Sequence, residues 1–211
     1  MELPACWPHA GAMKLTFSIP FLFWIASATC SAQTLAVSLH DYSGLSEKET
    51  LSLTGTVDLV FANSGFTIAW RHCRGALASP PHATCENELQ DNEIVVRLQP
   101  AEFRRAIRNQ SFHSGEAIVL GHAAAAASGG YYASVSVPAV RQQATEFAMG
   151  FDRLMGYAVA HEIGHCLWGP GHSYAGLMRA VWNRKDAEAI NRLSLHPTKE
   201  EYRKAVARLS K

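Results

Sequence analysis

Two histidines four residues apart, His161 and His165, constrain this chain more than any other feature. They end a run in which apolar residues recur at three- and four-residue intervals: Phe147, Phe151, Leu154 and Ala158. This periodicity follows one face of an α-helix and predicts a helix over about residues 145–167. On such a helix the two imidazoles lie one turn apart, so they can direct ring nitrogens at one point.

Glu162 follows the first histidine directly and completes the pattern His-Glu-x-x-His. Imidazole nitrogens are good ligands for Zn²⁺, and an adjacent carboxylate can take a proton from a zinc-bound water. Zinc lowers the pKa of that water to about 7 and polarises a carbonyl group. The pattern therefore predicts one catalytic zinc ion, with Glu162 as the general base.

A glycine-rich turn, Gly169-Pro170-Gly171, ends the predicted helix before a third histidine, His172. The two glycines permit positive backbone dihedral angles, so the chain can turn back toward the helical pair.

Residues 161–173 read His-Glu-Ile-Gly-His-Cys-Leu-Trp-Gly-Pro-Gly-His-Ser, and residues 176–178 read Gly-Leu-Met. These segments resemble the metzincin clan of metallopeptidases, especially its small, secreted, uncharacterised bacterial members. The resemblance implies a zinc-dependent endopeptidase that hydrolyses peptide bonds with a zinc-bound water activated by Glu162. It also implies a structural Met-turn at Met178 and three zinc ligands, His161, His165 and His172. A downstream carboxylate, Asp186 or Glu188, is the alternative to His172 as the third ligand.

The spacing after the second histidine departs from the usual metzincin pattern. Gly169 and His172 lie four and seven residues after His165, whereas the clan places its glycine and third histidine three and six residues after. The turn must therefore hold one extra residue. The tyrosine that some branches carry two residues after the turn methionine is replaced here by Ala180.

The remaining patterns predict a strand, a helix and four more strands before the helix with the histidines. The strands are predicted at residues 35–39, 66–70, 94–98, 117–120 and 131–137, and Ser46 with Glu49 forms a capping box for the first helix. Two further capping boxes, Asn183 with Asp186 and Thr198 with Glu201, predict short C-terminal helices.

The order of these elements is the order found in metzincins. The expected fold class is therefore α+β: a metzincin-like zincin fold with a twisted mixed sheet of about five strands, a backing helix, an active-site helix and a small helical C-terminal lobe. An extended peptide is expected to pair with the last strand, residues 131–137.

The N-terminus has the pattern of a signal peptide over residues 1–32, with Met13 as an alternative start. Lys14 precedes an apolar run that falls short of the ~20 residues of a spanning helix, and small residues close it. Cleavage before Gln33 leaves one metallopeptidase-like domain, residues 33–211, that is secreted or periplasmic. An uncleaved membrane anchor is the alternative.

Three cysteines remain beyond residue 32. Cys73 and Cys85 flank a polar loop and are the candidate disulfide in an oxidising compartment. Cys166 is then the odd thiol; we interpret it as a small buried apolar side chain, with a reactive thiol beside the metal as the alternative.

The charge balance excludes one class of partner. With 19 basic and 18 acidic residues and no long like-charge run, the chain shows no patch for nucleic acid. We expect a monomer that acts on a peptide or protein substrate. A non-catalytic, zinc-stabilised secreted binding protein on the same fold is the alternative, and Glu162 is the feature that argues against it.

Overall fold

The computed structural model describes residues 33–62, 66–78, 85, 93–102, 118–126 and 130–209. The chain divides into Met1–Ser31 and Ala32–Lys211. The predicted signal peptide, residues 1–32, lies outside the described residues. No helix in the described part is long and apolar enough to cross a membrane.

A five-stranded mixed sheet forms the centre of the described fold. Its strands are β1 (Gln33–Asp41), β2 (Phe66–Arg74), β3 (Glu93–Gln99), β4 (Gly121–Ala125) and β5 (Tyr131–Ser136). They lie in the order β2-β1-β3-β5-β4. All neighbouring strands are parallel except β4 and β5, which are antiparallel.

Five helices accompany the sheet: α1 (Glu47–Phe61), α2 (Val137–Glu146), α3 (Phe151–Trp168), α4 (Arg184–Asn191) and α5 (Lys199–Leu209). The three predicted capping boxes are present. The Asn183 side chain, for example, accepts hydrogen bonds from the N–H groups of Lys185 and Asp186, and the Asp186 carboxylate accepts one from the Asn183 N–H. Local side-chain chemistry thus fixes where α1, α4 and α5 begin.

One hydrophobic core joins the sheet to α1 and α3. Alternate residues of β1 and β3 point into it, and α1 contributes four apolar side chains. Because α3 lies between these elements, almost its whole surface is buried, from Leu154 to Leu167 with His165 as the partly exposed exception. Groups on α3 are therefore held rigidly and are largely removed from water.

The prediction of one helix over residues 145–167 is wrong at its start. The chain forms α2 first and breaks over residues 147–150, where Ala148 has a positive φ of 50°. Helix α2 begins at Ser136, whose hydroxyl accepts a hydrogen bond from the Ala139 N–H, with Pro138 in its first turn. Phe147 continues the apolar spacing of α3 but lies outside that helix.

The prediction of a strand at residues 117–120 is also wrong. Residues 118–120 are not in a strand, residue 117 lies outside the described part, and β4 covers residues 121–125. The apolar run Ile118-Val119-Leu120 suggested a strand, yet antiparallel pairing with β5 selects the alanine-rich segment that follows. Residues 131–137 are likewise not an edge strand, because β5 lies between β3 and β4.

The predicted fold class is confirmed: the protein is α+β, with a mixed sheet of five strands, a backing helix, a central helix with the two histidines, and short C-terminal helices. The predicted pair Cys73 and Cys85 forms a disulfide, with a Cα–Cα distance of 5.7 Å. Cys166 is a free, buried thiol, and burial raises its pKa to about 12.

Two helical glycines give a matched test of the packing between α1 and α3. A Cβ on Gly156 would lie 2.5 Å from Thr56 Cβ, whereas a Cβ on Gly55 would meet nothing within 4 Å. We expect Gly156→Ala to lower the free energy of unfolding by ~1–3 kcal/mol through overpacking. Gly55→Ala should raise it by up to ~1 kcal/mol through helix propensity. Urea denaturation measures both; equal effects would contradict the close contact.

Candidate metal centre

His161, His165 and His172 converge at the C-terminal end of α3. The ring centroids of His161 and His165 are 4.8 Å apart, and that of His172 lies 5.4 Å from the first and 4.8 Å from the second. One ligand nitrogen from each ring lies within 4.8 Å of the others, and no other group of three potential ligands meets in this way among the described residues. The extra residue in the turn therefore does not keep His172 away from the helical pair.

Backbone carbonyls orient the two helical imidazoles. His161 Nδ1 lies 2.8 Å from the carbonyl oxygen of Leu177, and His165 Nδ1 lies 3.3 Å from that of Gly169. A carbonyl oxygen only accepts, so each Nδ1 carries the proton and donates it. The other nitrogen, Nε2, is then left with its lone pair free to bind a metal.

Burial also favours the neutral form of these rings. It lowers the pKa of His161 to about 4, with smaller contributions from the nearby His165 and His172, and it lowers the pKa of His165. A metal ligand must be unprotonated, so at neutral pH both helical imidazoles are in the form that binds a metal.

Glu162 lies on α3 against the first residue of β4. A Cβ placed on Gly121 would lie 2.7 Å from Glu162 Oε1, so only glycine leaves room for the carboxyl group there. The Glu162 side chain is 5% exposed, and its Oε2 has no hydrogen-bond partner among the described residues. Burial raises the pKa of this carboxyl group to about 8.

Met178 packs beneath the helix between the two histidines. It is buried, and a Cβ on Gly164 would lie only 2.4 Å from its sulfur atom. The turn before it has Gly176 at a φ of 78°, and the Leu177 N–H donates to the carbonyl oxygen of His196. The structure therefore places Met178 in a turn that packs against α3 between the two helical histidines.

Trp182 also contacts this site, a position that the sequence pattern does not predict. Its indole Nε1–H donates to the Leu177 carbonyl at 3.2 Å, the same oxygen that His161 uses. Its ring also meets the His161 ring edge-on at 5.6 Å. No spacing rule relates a tryptophan to a histidine 21 positions earlier, so the sequence contains no signal for this contact.

The two alternative carboxylate ligands lie outside the cluster. Asp186 accepts a hydrogen bond from the Asn183 N–H and forms an ion pair with Arg179 at 3.3 Å. Glu188 is exposed on α4. The structure therefore brings His172 to the helical pair and leaves both carboxylates elsewhere.

An open pocket of about 520 Å³ adjoins the histidines. It lies between β4 and the end of α3, and small residues form much of its wall. The residues that line it are Ala123, Ala124, Ala125, Tyr131, His165, Cys166, Gly169, Pro170, Gly171 and His172. Two of the three candidate metal ligands, His165 and His172, therefore face a space that a ligand can enter from solvent.

One side of β4, beside this pocket, has backbone groups that pair with no strand of the described part of the chain. The Ser136 N–H donates to the Leu120 carbonyl, and the Ala126 N–H donates to the Gly130 carbonyl. Hydrogen-bonded pairs alternate along an antiparallel ladder, so the even-numbered residues of β4 bond to β5. Gly121, Ala123 and Ala125 then direct their N–H and C=O groups to the other side, where no described strand pairs with β4.

No protein-family model and no curated protein matches the sequence. Among solved structures, the chain is similar to archaemetzincin from Methanopyrus kandleri, with 15% identity, a TM-score of 0.55, and 86% of this chain and 98% of that chain covered. It is also similar to metalloproteinase-II from Bacteroides fragilis, with 15% identity, a TM-score of 0.48, and 88% and 55% covered. A zinc-dependent peptidase from Methanocorpusculum labreanum matches with 13% identity, a TM-score of 0.47, and 80% and 99% covered. The likeness to archaemetzincin shows that this chain has a zincin-type fold.

The residues at the site fit a zinc ion. Three imidazoles are a donor set that zinc accepts, and carbonyl oxygens already hold two of them with Nε2 free. Among the described residues, the buried Oε2 of Glu162 has no hydrogen-bond partner, and burial of such an oxygen costs free energy. A cation bound nearby would offset this cost, because it stabilises the ionised carboxylate.

Replacement of each clustered histidine tests this metal centre. We expect the parent protein to bind one zinc ion. His161→Ala, His165→Ala and His172→Ala should each weaken binding by more than the ~100-fold that loss of an outer-shell partner costs. Chelator competition measures the affinity, and His196→Ala, which removes an exposed imidazole outside the cluster, is the control. Unchanged affinity in His172→Ala would show that the third ligand is another group.

Proposed function

We propose that this protein is a metzincin-type zinc-dependent endopeptidase. The observation that carries the proposal is the convergence of three imidazoles beside a buried carboxylate, at a pocket bordered by the side of β4 that pairs with no described strand. Each part corresponds to a need of peptide hydrolysis: a metal site, a proton acceptor and a surface that holds an extended chain. The fold shared with archaemetzincin supports the proposal.

His161, His165 and His172 are the proposed zinc ligands. When bound, zinc acts as a Lewis acid that polarises a carbonyl group and makes hydroxide available at neutral pH. The carbonyls of Leu177 and Gly169 hold two of the rings by their Nδ1–H groups, so Nε2 is presented without rotation of the ring. Such fixed outer contacts reduce the reorganisation needed when the ion enters.

Glu162 is the proposed general base. Burial raises the pKa of its carboxyl group to about 8, and a cation held by the histidines would favour the ionised form. The ionised carboxylate could then take a proton from water and release it to the leaving amine, the two transfers that amide hydrolysis requires. The contact with Gly121 restricts where the carboxyl group can move.

The substrate is proposed to lie along β4 as an added strand. The outward N–H and C=O groups of Gly121, Ala123 and Ala125 can pair with an extended peptide. This pairing holds the scissile carbonyl near the histidines, and the neighbouring pocket receives a substrate side chain. The site for pairing thus moves from residues 131–137, as expected from sequence, to β4.

We also propose that residues 1–32 direct export and that residues 33–211 act as one secreted or periplasmic domain. The disulfide between Cys73 and Cys85 supports this location, because such bonds persist in oxidising compartments.

Glu162→Gln separates catalysis from metal binding. We expect the rate of peptide cleavage to fall by ~10²–10⁴-fold, because the amide cannot take up the proton, while zinc content stays at one ion. Cleavage of a peptide library, measured by mass spectrometry, and metal analysis give the two readouts. Glu188→Gln, an exposed glutamate on α4, is the matched control.

The proposal would be contradicted if the parent protein bound zinc but cleaved no peptide, and if Glu162→Gln bound the same amount of zinc as the parent. That result would favour the zinc-stabilised binding protein. A parent that cleaves peptides without bound zinc would reject the assignment of the metal site.

Ala123→Pro tests pairing of the substrate with β4. The change removes an N–H that points to the open side, a position where an edge strand tolerates proline. We expect kcat/KM for peptides to fall by ~10-fold, the value of about one hydrogen bond, with zinc content retained. Ala123→Ser, which keeps the N–H, is the control. Equal kcat/KM in both variants would exclude this pairing.

A further inference from the structure

The third histidine is held differently from the other two. The Nδ1 atoms of His161 and His165 donate to backbone carbonyls. His172 is exposed, and neither of its ring nitrogens has a hydrogen-bond partner among the described residues. It also follows Gly169 and Gly171, where an added Cβ would touch nothing within 4 Å. A ligand on such an unpacked loop loses conformational freedom when it binds a metal, so another contact must hold its backbone.

The next residue, Ser173, provides that contact. Its N–H donates to the Met178 carbonyl at 2.8 Å, and it forms an isolated bridge with Arg179. Its hydroxyl donates to Oε1 of Glu201, a residue 28 positions later on α5. The loop with His172 is therefore fastened to the Met178 turn by backbone and to the C-terminal helix by a side chain.

Glu201 is more buried than a residue needs to be to cap a helix. Its Oε2 accepts a hydrogen bond from the Thr198 N–H at 2.6 Å, which completes the capping box of α5. The corresponding Glu49 in the box of α1 is partly exposed and also contacts Arg141. Glu201 is 6% exposed, so its carboxyl group loses water on both oxygens. The Ser173 hydroxyl supplies the second oxygen with a partner that capping alone does not explain.

We propose that Glu201 is a positioning residue for His172, acting through the Ser173 hydroxyl; the inference rests on the proposed zinc site. One carboxyl group then does two things: it starts α5, and it fixes the backbone next to the third ligand. Helix α5 is in this way a structural part of the metal centre, although it contributes no ligand.

The experiment measures zinc affinity of the full chain by chelator competition in Ser173→Ala, Glu201→Ala and the double variant. We expect each single change to weaken zinc binding by ~10–100-fold, the usual effect of an outer-shell partner. The double variant should be no weaker than Glu201→Ala, because both changes remove the same hydrogen bond. Ser173→Thr keeps the hydroxyl and should restore the affinity.

Two further measurements separate positioning from stability. The visible absorption bands of the Co²⁺-substituted protein should shift in Ser173→Ala and stay unchanged in Glu200→Gln. Glu200 is the matched control: it is exposed on the same helix and pairs with Arg203 at 2.7 Å. The free energy of unfolding without metal is recorded for every variant.

Zinc affinity and Co²⁺ bands equal to those of the parent would overturn the inference, even if the metal-free variants unfold more easily. Additive losses in the double variant would overturn it too, since the residues would then act separately. A parent that binds no zinc would overturn both this inference and the proposed function. If the parent binds zinc and the variants bind it equally well, this inference alone would be overturned.

Discussion

The hydrogen bond from His161 to the Leu177 carbonyl joins the two parts of the candidate site. One partner lies on α3 and the other in the turn that contains Met178. The same oxygen accepts the indole N–H of Trp182, and the Leu177 N–H donates to His196. Because the backbone of one residue, Leu177, takes part in all three contacts, a movement of the turn would rotate the His161 ring and change the direction of Nε2. The orientation of the first ligand therefore depends on residues beyond the helix.

Burial of α3 determines the electrostatics of the site. The helix is enclosed by the sheet, α1 and the Met178 turn, and Gly156 and Gly164 permit the close contacts. In this surrounding the pKa of His161 falls to about 4 and that of Glu162 rises to about 8. Both shifts have one cause, since desolvation disfavours the charged form of each group. A neutral imidazole is ready to bind a cation, and a cation favours ionisation of the nearby carboxyl group. One packing arrangement thus shifts both residues toward their neutral forms.

Features set by short-range chemistry could be predicted from the sequence, and features set by tertiary pairing could not. The capping boxes and the helical pair of histidines lie within four residues, so their geometry follows from the helix itself. The start of α3 was misplaced because Phe147 keeps the apolar period while Ala148 leaves the helical region. The contacts of Trp182 with Leu177 and of Ser173 with Glu201 have no periodic signal, because the folding of separate segments brings them together.

The composition of β4 explains why the sequence pattern did not predict this strand. Glycine and alanine are depleted in strands, so Gly-His-Ala-Ala-Ala scores poorly beside the apolar residues before it. Yet a Cβ at Gly121 would collide with Glu162 and with the Ser134 carbonyl, each at 2.7 Å. Larger side chains at positions 123 and 125, on the same face of β4 as Gly121, would reduce the pocket that adjoins His165 and His172. The small residues are therefore explained by the space the site requires above α3, and pairing with β5 supplies the strand geometry that their own propensity does not.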